Sequence, residues 1–337
     1  MKSKNIIVTG GAGFIGSHTV IELHRSGYRP IIVDNFSNSE HFIIDRINEL
    51  CGEKITFYEC DCTNEKELEE VFANETPIGV IHFAAYKSVS ESIEHPLKYY
   101  HNNIGSLVVL LKLIKKYEVN QLVFSSSCTV YGEPQLIPVT ENTELGDVKS
   151  PYGYTKIVGE QIIKDFCRSS DRTSSIILRY FNPIGAHSSG RIGELPRGIP
   201  SNLIPYITQT GIGTRDSLIV HGNDYPTTDG TCIRDYIHVV DLANAHVASL
   251  KWLEKENNSV VEVFNIGTGK GNSVMDVIKA FESISGILLN YKIDKRRTGD
   301  IIQIWASTDK AEKLLGWKPI FSLEDCLRDA WNWQINL

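Results

Sequence analysis

The chain has no run of roughly 20 consecutive apolar residues, the length that a membrane-spanning helix requires, so a helical membrane protein is excluded and a soluble one is expected. It has no surplus of positive charge: 34 Lys and Arg stand against 41 Asp and Glu, a formal net charge of −7. A nucleic-acid footprint of clustered basic residues is therefore not expected. Cysteine is sparse and odd in number, at seven, and only Cys60 and Cys62 are close neighbours. That spacing fits neither a zinc-ligand pair nor a redox Cys-x-x-Cys, so no metal is expected and the thiols read as reduced and mostly structural. Internal repeats, low-complexity tracts and flexible linkers are also missing. The short basic start runs directly into a strand pattern rather than a signal sequence, which points to the cytoplasm.

What is present is an ordinary globular composition, 42% hydrophobic and 22% charged, in 337 residues. That length suits two lobes. Short apolar runs at 5–8, 30–34, 56–60, 79–83, 121–125 and 174–179 alternate with amphipathic stretches beginning near Phe14, Ser39, Asn64, Pro96 and Tyr152. Such alternation predicts an α/β fold, a doubly wound parallel sheet with helices on both faces. Beyond Asn182 the texture changes: Gly and Pro crowd residues 183–230, as in a smaller, loop-rich lobe. A helix near 239–254 and a strand at 261–265 read as a return to the sheet, before short helices from Ser273, Thr308 and Leu323.

The first strand leads into Thr9-Gly10-Gly11-Ala12-Gly13-Phe14-Ile15-Gly16, with glycines at 10, 13 and 16 and a helix opening behind them. Glycine permits the tight turn and lets backbone approach a pyrophosphate at the helix N-terminus. Asp34 closes the second strand, where a carboxylate accepts from adenine-ribose hydroxyls. A carboxylate repels a ribose phosphate, and no Arg occurs between residues 35 and 39 to receive one. NAD is expected rather than NADP, in a domain formed by residues 1–181 plus about 236–265. Residues 182–235 plus about 266–337 are left as the substrate lobe.

Ser125-Ser126-Ser127 closes the fifth strand, and Tyr152-Gly153-Tyr154-Thr155-Lys156 opens a helix after Pro151. Four-residue spacing puts Tyr152 and Lys156 on one face, with Tyr154 elsewhere. A phenol has a reference pKa of about 10, and a neighbouring ammonium and a positive nicotinamide favour its phenolate. Ser127, Tyr152 and Lys156 are the candidate catalytic residues, with Ser127 donating to the substrate oxygen or sharing its proton and Lys156 also holding the nicotinamide ribose.

With these features in order, the sequence resembles the extended short-chain dehydrogenase/reductase family, and within it the enzymes that invert C4 of a UDP-hexose. The likeness runs along nearly the whole chain. Besides the segments above it is carried by Ser17-His18, Asn102-Asn103, Thr129-Val130-Tyr131-Gly132, Leu178 to Pro183, Gly222 to Thr227 and Arg234-Asp235-Tyr236-Ile237-His238-Val239. The resemblance implies that NAD is lined by Gly10, Gly13, Phe14, Ile15, Gly16, Asp34, Asn35, Phe36, Ser37, Asn38, Ser39, Asp61, Cys62, Phe83, Ala84, Ala85, Tyr86, Lys87, Asn102, Ser127, Tyr152, Lys156 and Phe181. It similarly assigns the UDP-sugar to Ser127, Tyr152, Asn182, Asn202, Leu203, Ile219, Val220, His221, Arg234, Arg297, Asp300 and Ile304.

The activity so implied is interconversion of UDP-galactose and UDP-glucose by oxidation to a 4-keto sugar, rotation of the sugar, and return of the same hydride from retained NAD. A position matching Ile304 varies in size beside the sugar's C2 substituent, and an intermediate Ile leaves UDP-N-acetylhexosamines as alternative substrates. A nucleotide-sugar dehydratase is disfavoured because Cys128 and Thr129 stand where dehydratases of this family carry Asp-Glu. A non-catalytic NAD-sensing protein has no need of Tyr152 and Lys156. Residues 104–114 hold more apolar positions than one helix face needs, and the resemblance implies pairing through such helices, so a homodimer is expected.

Overall fold

Strands buried on both faces need continuous apolar runs, and five of the six runs read from the sequence have them. In the computed structural model, which describes residues 4–170, 172–256, 259–297 and 299–337, β1 (Asn5–Thr9) is buried throughout. It is followed by α1 (Phe14–Arg25), β2 (Arg29–Asp34), α2 (Phe42–Cys51), β3 (Thr56–Glu59), α3 (Glu65–Glu75) and β4 (Gly79–His82). Then come α4 (Val89–Glu94), α5 (Pro96–Tyr99), α6 (Gly105–Lys116), β5 (Gln121–Ser127), α7 (Pro151–Arg168) and β6 (Ser174–Tyr180). Only β3 alternates between half-buried and exposed residues, and it lies at a sheet edge. The basic start of the chain, residues 1–3, lies outside the described residues.

The second half contributes β7 (Asn182–Ile184), α8 (Leu203–Gly211), β8 (Leu218–His221), β9 (Ile233–Arg234), β10 (Tyr236–His238) and α9 (Val239–Leu253). It ends with β11 (Val261–Ile266), β12 (Asn272–Ser273), α10 (Val274–Ser285), β13 (Tyr291–Asp294), β14 (Gln303–Ile304), α11 (Asp309–Leu315) and α12 (Leu323–Ile335). One seven-stranded parallel sheet runs in the order β3-β2-β1-β4-β5-β6-β11. The predicted return strand is thus β11, paired to β6. The order reverses between β1 and β4, the switch point at which open sheets of this kind bind ligands outside the carboxyl ends of their strands.

One apolar cluster on each face of this sheet forms the main core, and a third joins β7, α8, β8, α10 and α12 around Ile207, Val277 and Phe281. The second half is less loop-like than its Gly and Pro content suggests. Three small sheets, β10 with β7, β12-β9-β14, and β13 with β8, escape sequence reading because their strands are only two to four residues long.

The helix expected from Pro96 is interrupted: Tyr100–Ile104 winds as a π-helix between α5 and α6. Such turns concentrate at functional sites, and this one holds Asn102 and Asn103. The surplus apolar residues of α6 are largely taken up by its own core, since Leu107, Leu110, Leu111, Leu113 and Ile114 are buried.

Candidate active site

The carboxyl edges of β1 and β2 form a cradle that no larger residues can make. Gly10 has φ +69°, and a Cβ there would lie 2.9 Å from the Ala84 nitrogen; at Gly16 a Cβ would fall 2.1 Å from the Gly10 oxygen. The turn delivers the chain into α1, which has no side-chain cap and no acidic residue in its first turn. Its leading amides suit a pyrophosphate. Asp34 is buried, and its carboxylate accepts from the backbone of Ala12 (3.0 Å) and Phe36 (2.9 Å) and from Ser39 Oγ (2.9 Å). It therefore braces the glycine turn against the 36–39 loop and keeps lone-pair capacity for a ribose. Asp61, which accepts from Asn35 Nδ2 at 3.0 Å and from Thr63, is held below the usual carboxylate range, because these hydrogen bonds outweigh the larger single effect of burial.

Further along the edge, Asn103 of the π-turn accepts from the Tyr86 backbone (2.9 Å) and donates to the Tyr86 carbonyl and to Thr155 Oγ1, both at 3.1 Å. It ties the 83–87 segment to the turn of α7 that carries Lys156. Asn102 donates to Asn103 at 3.0 Å. The sequence marked Asn103 only as part of a motif; its bracing role depends on a contact 52 residues away. Cys62 and Phe181 are buried. Cys62 packs in the core, so only its backbone can serve a ligand.

The candidate reaction centre forms where β5 meets α7. Ser150 caps α7 by accepting from the Gly153 amide at 3.2 Å, and Pro151 occupies the first turn. The helix then lies against the serine run in three successive pairings. Ser127 stands beside the Tyr152 phenol, Lys156 Nζ donates to the Ser125 carbonyl at 2.7 Å, and Ser126 Oγ donates to Glu160 at 2.6 Å. Tyr154 is half exposed and points away, as its spacing required. Glu160 in turn pairs bidentately with Arg179 of β6 at 2.9 and 2.7 Å, and both are almost wholly buried.

Burial raises the Tyr152 phenol to about 12 despite the lowering effect of Ser127, so the protein's own side chains do not lower it. The Lys156 ammonium is anchored to a carbonyl and lies 5.9 Å from the Tyr152 ring centroid. Burial also lowers Lys156 from 10.5 to about 8, with Glu160 opposing. Formation of the phenolate therefore rests on further positive charge, which an oxidised nicotinamide has.

The folded-state pKa of Lys156 lies below its unfolded value, so its burial opposes folding most fully below pH 8 and ceases to do so above 10.5. Lys156→Met should accordingly melt at a higher temperature than the parent at pH 7. The gap should narrow as pH rises from 8 towards 10.5, while turnover is lost. Equal melting temperatures at pH 7 would contradict this sign.

The residues assigned to UDP come from β7, β8, β9, the start of α8 and the 297–300 turn. Arg234 is largely buried and lies 3.8 Å from Asp300, and its charge acts on Cys128, next to Ser127. Asn202 precedes α8, and Ile219 and His221 are half-buried; Arg297 is exposed. The Val220 side chain faces the opposite way from those of Ile219 and His221. On β8 the burial alternates, and the Val220 side chain faces the third apolar cluster, leaving only its backbone for a ligand. Ile304 is buried with Val130, Tyr131 and Phe181 behind the reaction centre.

Residues 6–267 match the NAD dependent epimerase/dehydratase family. The chain belongs to that family. It is 50% identical to UDP-glucose 4-epimerase of Bacillus subtilis over 330 residues, 98% of this chain and 96% of the relative. It is also 50% identical to UDP-glucose 4-epimerase of Dictyostelium discoideum over 329 residues, 98% of this chain and 95% of that one. Among solved structures, UDP-glucose 4-epimerase of Bifidobacterium longum in complex with NAD+ and UDP superposes with a TM-score of 0.95, at 46% identity and 98% coverage of each chain. The UDP-Glc/GlcNAc 4-epimerase of Campylobacter jejuni gives 0.85 at 34% identity, over 99% of this chain and 100% of that one. The extended short-chain dehydrogenase/reductase resemblance, the doubly wound fold and NAD as cofactor are all borne out.

Cys128 and Thr129 follow the candidate catalytic Ser127, at the places where the resemblance puts Asp-Glu in a dehydratase. Burial pushes the Cys128 thiol up to about 12, and Thr129 carries no carboxyl, so neither delivers a proton as a carboxylic acid does.

Proposed function

We propose that this protein interconverts UDP-galactose and UDP-glucose by inverting the sugar's C4 through a transient 4-keto intermediate, with NAD as a retained cofactor. The observation that carries the reading is the meeting of Ser127, Tyr152 and Lys156 at the carboxyl edge of the sheet, beside a cradle shaped for a dinucleotide. Relatives of about 50% identity over nearly the full length, named UDP-glucose 4-epimerases, support it. Sugar C4 bears no acidic hydrogen, so removing a proton cannot invert it. NAD, when bound, supplies a hydride acceptor that gives the same hydride back, and a positive charge near Tyr152.

The chain's own groups do the rest. Tyr152 takes the 4-hydroxyl proton and later returns it; Ser127 donates a hydrogen bond to the same oxygen; Lys156 holds a positive charge beside the phenolate. Arg234 and Arg297 pair with the diphosphate, and Asn182, Asn202, Leu203, Ile219, His221 and Asp300 hold the rest of UDP. The hexose is left free to present its other face. In deuterated water, UDP-galactose should yield UDP-glucose with no deuterium at C4, and faster than the acetylated pair reacts. Deuterium at C4, or faster turnover of UDP-N-acetylgalactosamine, would contradict the reading.

Three coarser features belong to the same proposal. The division into a NAD domain, 1–181 with about 236–265, and a UDP-sugar lobe is supported by the third apolar cluster of the second half. A cytoplasmic site of action is supported by seven cysteines that are all free thiols. No helix of the described residues is long and apolar enough to cross a membrane. A homodimer is supported by apolar side chains exposed on neighbouring elements, Ile93 on α4, Leu97 on α5 and Val108 on α6; light scattering giving the mass of one chain would refute it.

A further inference from the structure

The segment joining β7 to α8, residues 185–202, crosses to the cofactor side at several places. His187 Nε2 lies 3.1 Å from Arg25 Nη2 on α1, and Arg191 pairs with Glu49 on α2. Two residues between these and α8 make the most specific contacts. Arg197 grips the 36–40 loop: Nη1 donates to the Ser37 carbonyl at 2.7 Å, Nη2 to the carbonyls of Ser39 (2.8 Å) and Phe36 (3.2 Å), and Nε to Glu40 at 3.1 Å. Glu194 Oε1 accepts from Lys87 Nζ at 3.0 Å and from Asn202 Nδ2 at 2.6 Å. Its own backbone carbonyl is fixed by Trp333 Nε1 of α12 at 3.0 Å.

The loop that Arg197 grips is strained. Phe36 has φ +52°, a left-handed conformation that is costly for a bulky residue and persists only where its surroundings over-determine it. Asp34 fixes its amide, Arg197 fixes its carbonyl, and the ring stacks on His41 at 3.9 Å. The absence of Arg between 35 and 39 therefore does not leave this loop without a guanidinium. One arrives from 160 residues away and is committed to main-chain carbonyls and Glu40, an arrangement that holds the loop's shape rather than recognising a phosphate.

We propose that Arg197 and Glu194 are positioning residues of the cofactor site. Arg197 holds the 36–39 loop in its nucleotide-binding conformation, and Glu194 joins a cofactor-holding residue, Lys87, to a UDP-holding one, Asn202. The inference rests on the proposed function and on the NAD and UDP roles that the family resemblance implies for those residues. Two consequences follow from the geometry. NAD leaves only after the Arg197 grip loosens, and UDP, by ordering Asn202, orders Glu194 and Lys87 and slows NAD departure. Linkage makes that effect mutual.

The test is the rate at which purified protein releases NAD into an excess of a NAD-trapping dehydrogenase, with and without UDP. Arg197→Ala should release NAD at least about tenfold faster, the factor expected from one hydrogen bond to a charged group. Its turnover should fall on dilution and recover with added NAD, while the NAD-stripped protein melts at the parent's temperature. Arg197→Lys should not rescue it, because an ammonium cannot reproduce a planar fork held by three carbonyls. UDP should slow release from the parent and lose that effect in Glu194→Ala. Parent-like release and UDP response in both alanine variants overturn the proposal, as does melting of the stripped variants that falls in step with retention. A parent that holds no NAD or binds no UDP refutes the proposed function itself and this inference with it.

Discussion

Tyr152→Phe should lower kcat by a factor of about 10²–10⁴, the range that a positioned acid–base group contributes, while NAD and UDP-sugar still bind. On the proposed reading the phenol takes the 4-hydroxyl proton, with Ser127 beside it and the Lys156 ammonium on the same helix face. Phe keeps the ring and its packing, so the change is confined to one oxygen. Ser127 cannot replace it efficiently, since an unassisted hydroxyl is a poor base near neutrality. Binding is measured by displacement of a fluorescent UDP analogue and turnover by coupled assay. Near-parental kcat, or loss of binding in parallel with loss of turnover, would remove Tyr152 from its role.

The largest effect on stability is expected two turns further along the same helix. Glu160→Gln should destabilise the fold by about 3–5 kcal/mol, because it leaves the guanidinium of Arg179, 3% exposed, without its counter-charge. Arg179 also donates to Tyr131 OH at 3.0 Å, and Tyr131 donates to Asn265 of β11 at 2.6 Å, so the pair joins β5, β6, β11 and α7 beneath the reaction centre. Replacing both partners with Met should cost less than replacing Glu160 alone, since it is the unpaired buried charge that is expensive. Chemical denaturation of the single and double variants decides this; a double variant as unstable as the sum of its singles would show that packing, not charge, dominates.

Much of the sheet and site was legible because each rests on local sequence. The runs at 5–8, 30–34 and 121–125 are apolar without alternation, as strands buried on both faces must be, and the glycine turn and the Tyr152 to Lys156 spacing are fixed within a few residues. Boundaries slipped where polarity hides a buried position. β5 continues to Ser127 because Ser126 finds Glu160, a partner 34 residues on. The helix predicted from Ser39 starts only at Phe42, since Ser39 turns back to Asp34. The small sheets around Arg234 are too short for periodicity to register. Bracing by Asn103, the Glu160–Arg179 pair, the Arg197 grip and the inward turn of Val220 are long-range outcomes, and no local pattern announces them. The burial of Tyr152 was hidden for a related reason: a four-residue spacing shows which groups share a face, not how deeply they are buried or what anchors the ammonium.

The most direct measurement is to incubate the purified protein with UDP-galactose, adding no NAD, and to follow UDP-glucose. Sustained product formation over many turnovers is expected, since a returned hydride leaves the held cofactor unchanged. No UDP-glucose, even after NAD is supplied, would contradict C4 inversion as the activity of this site.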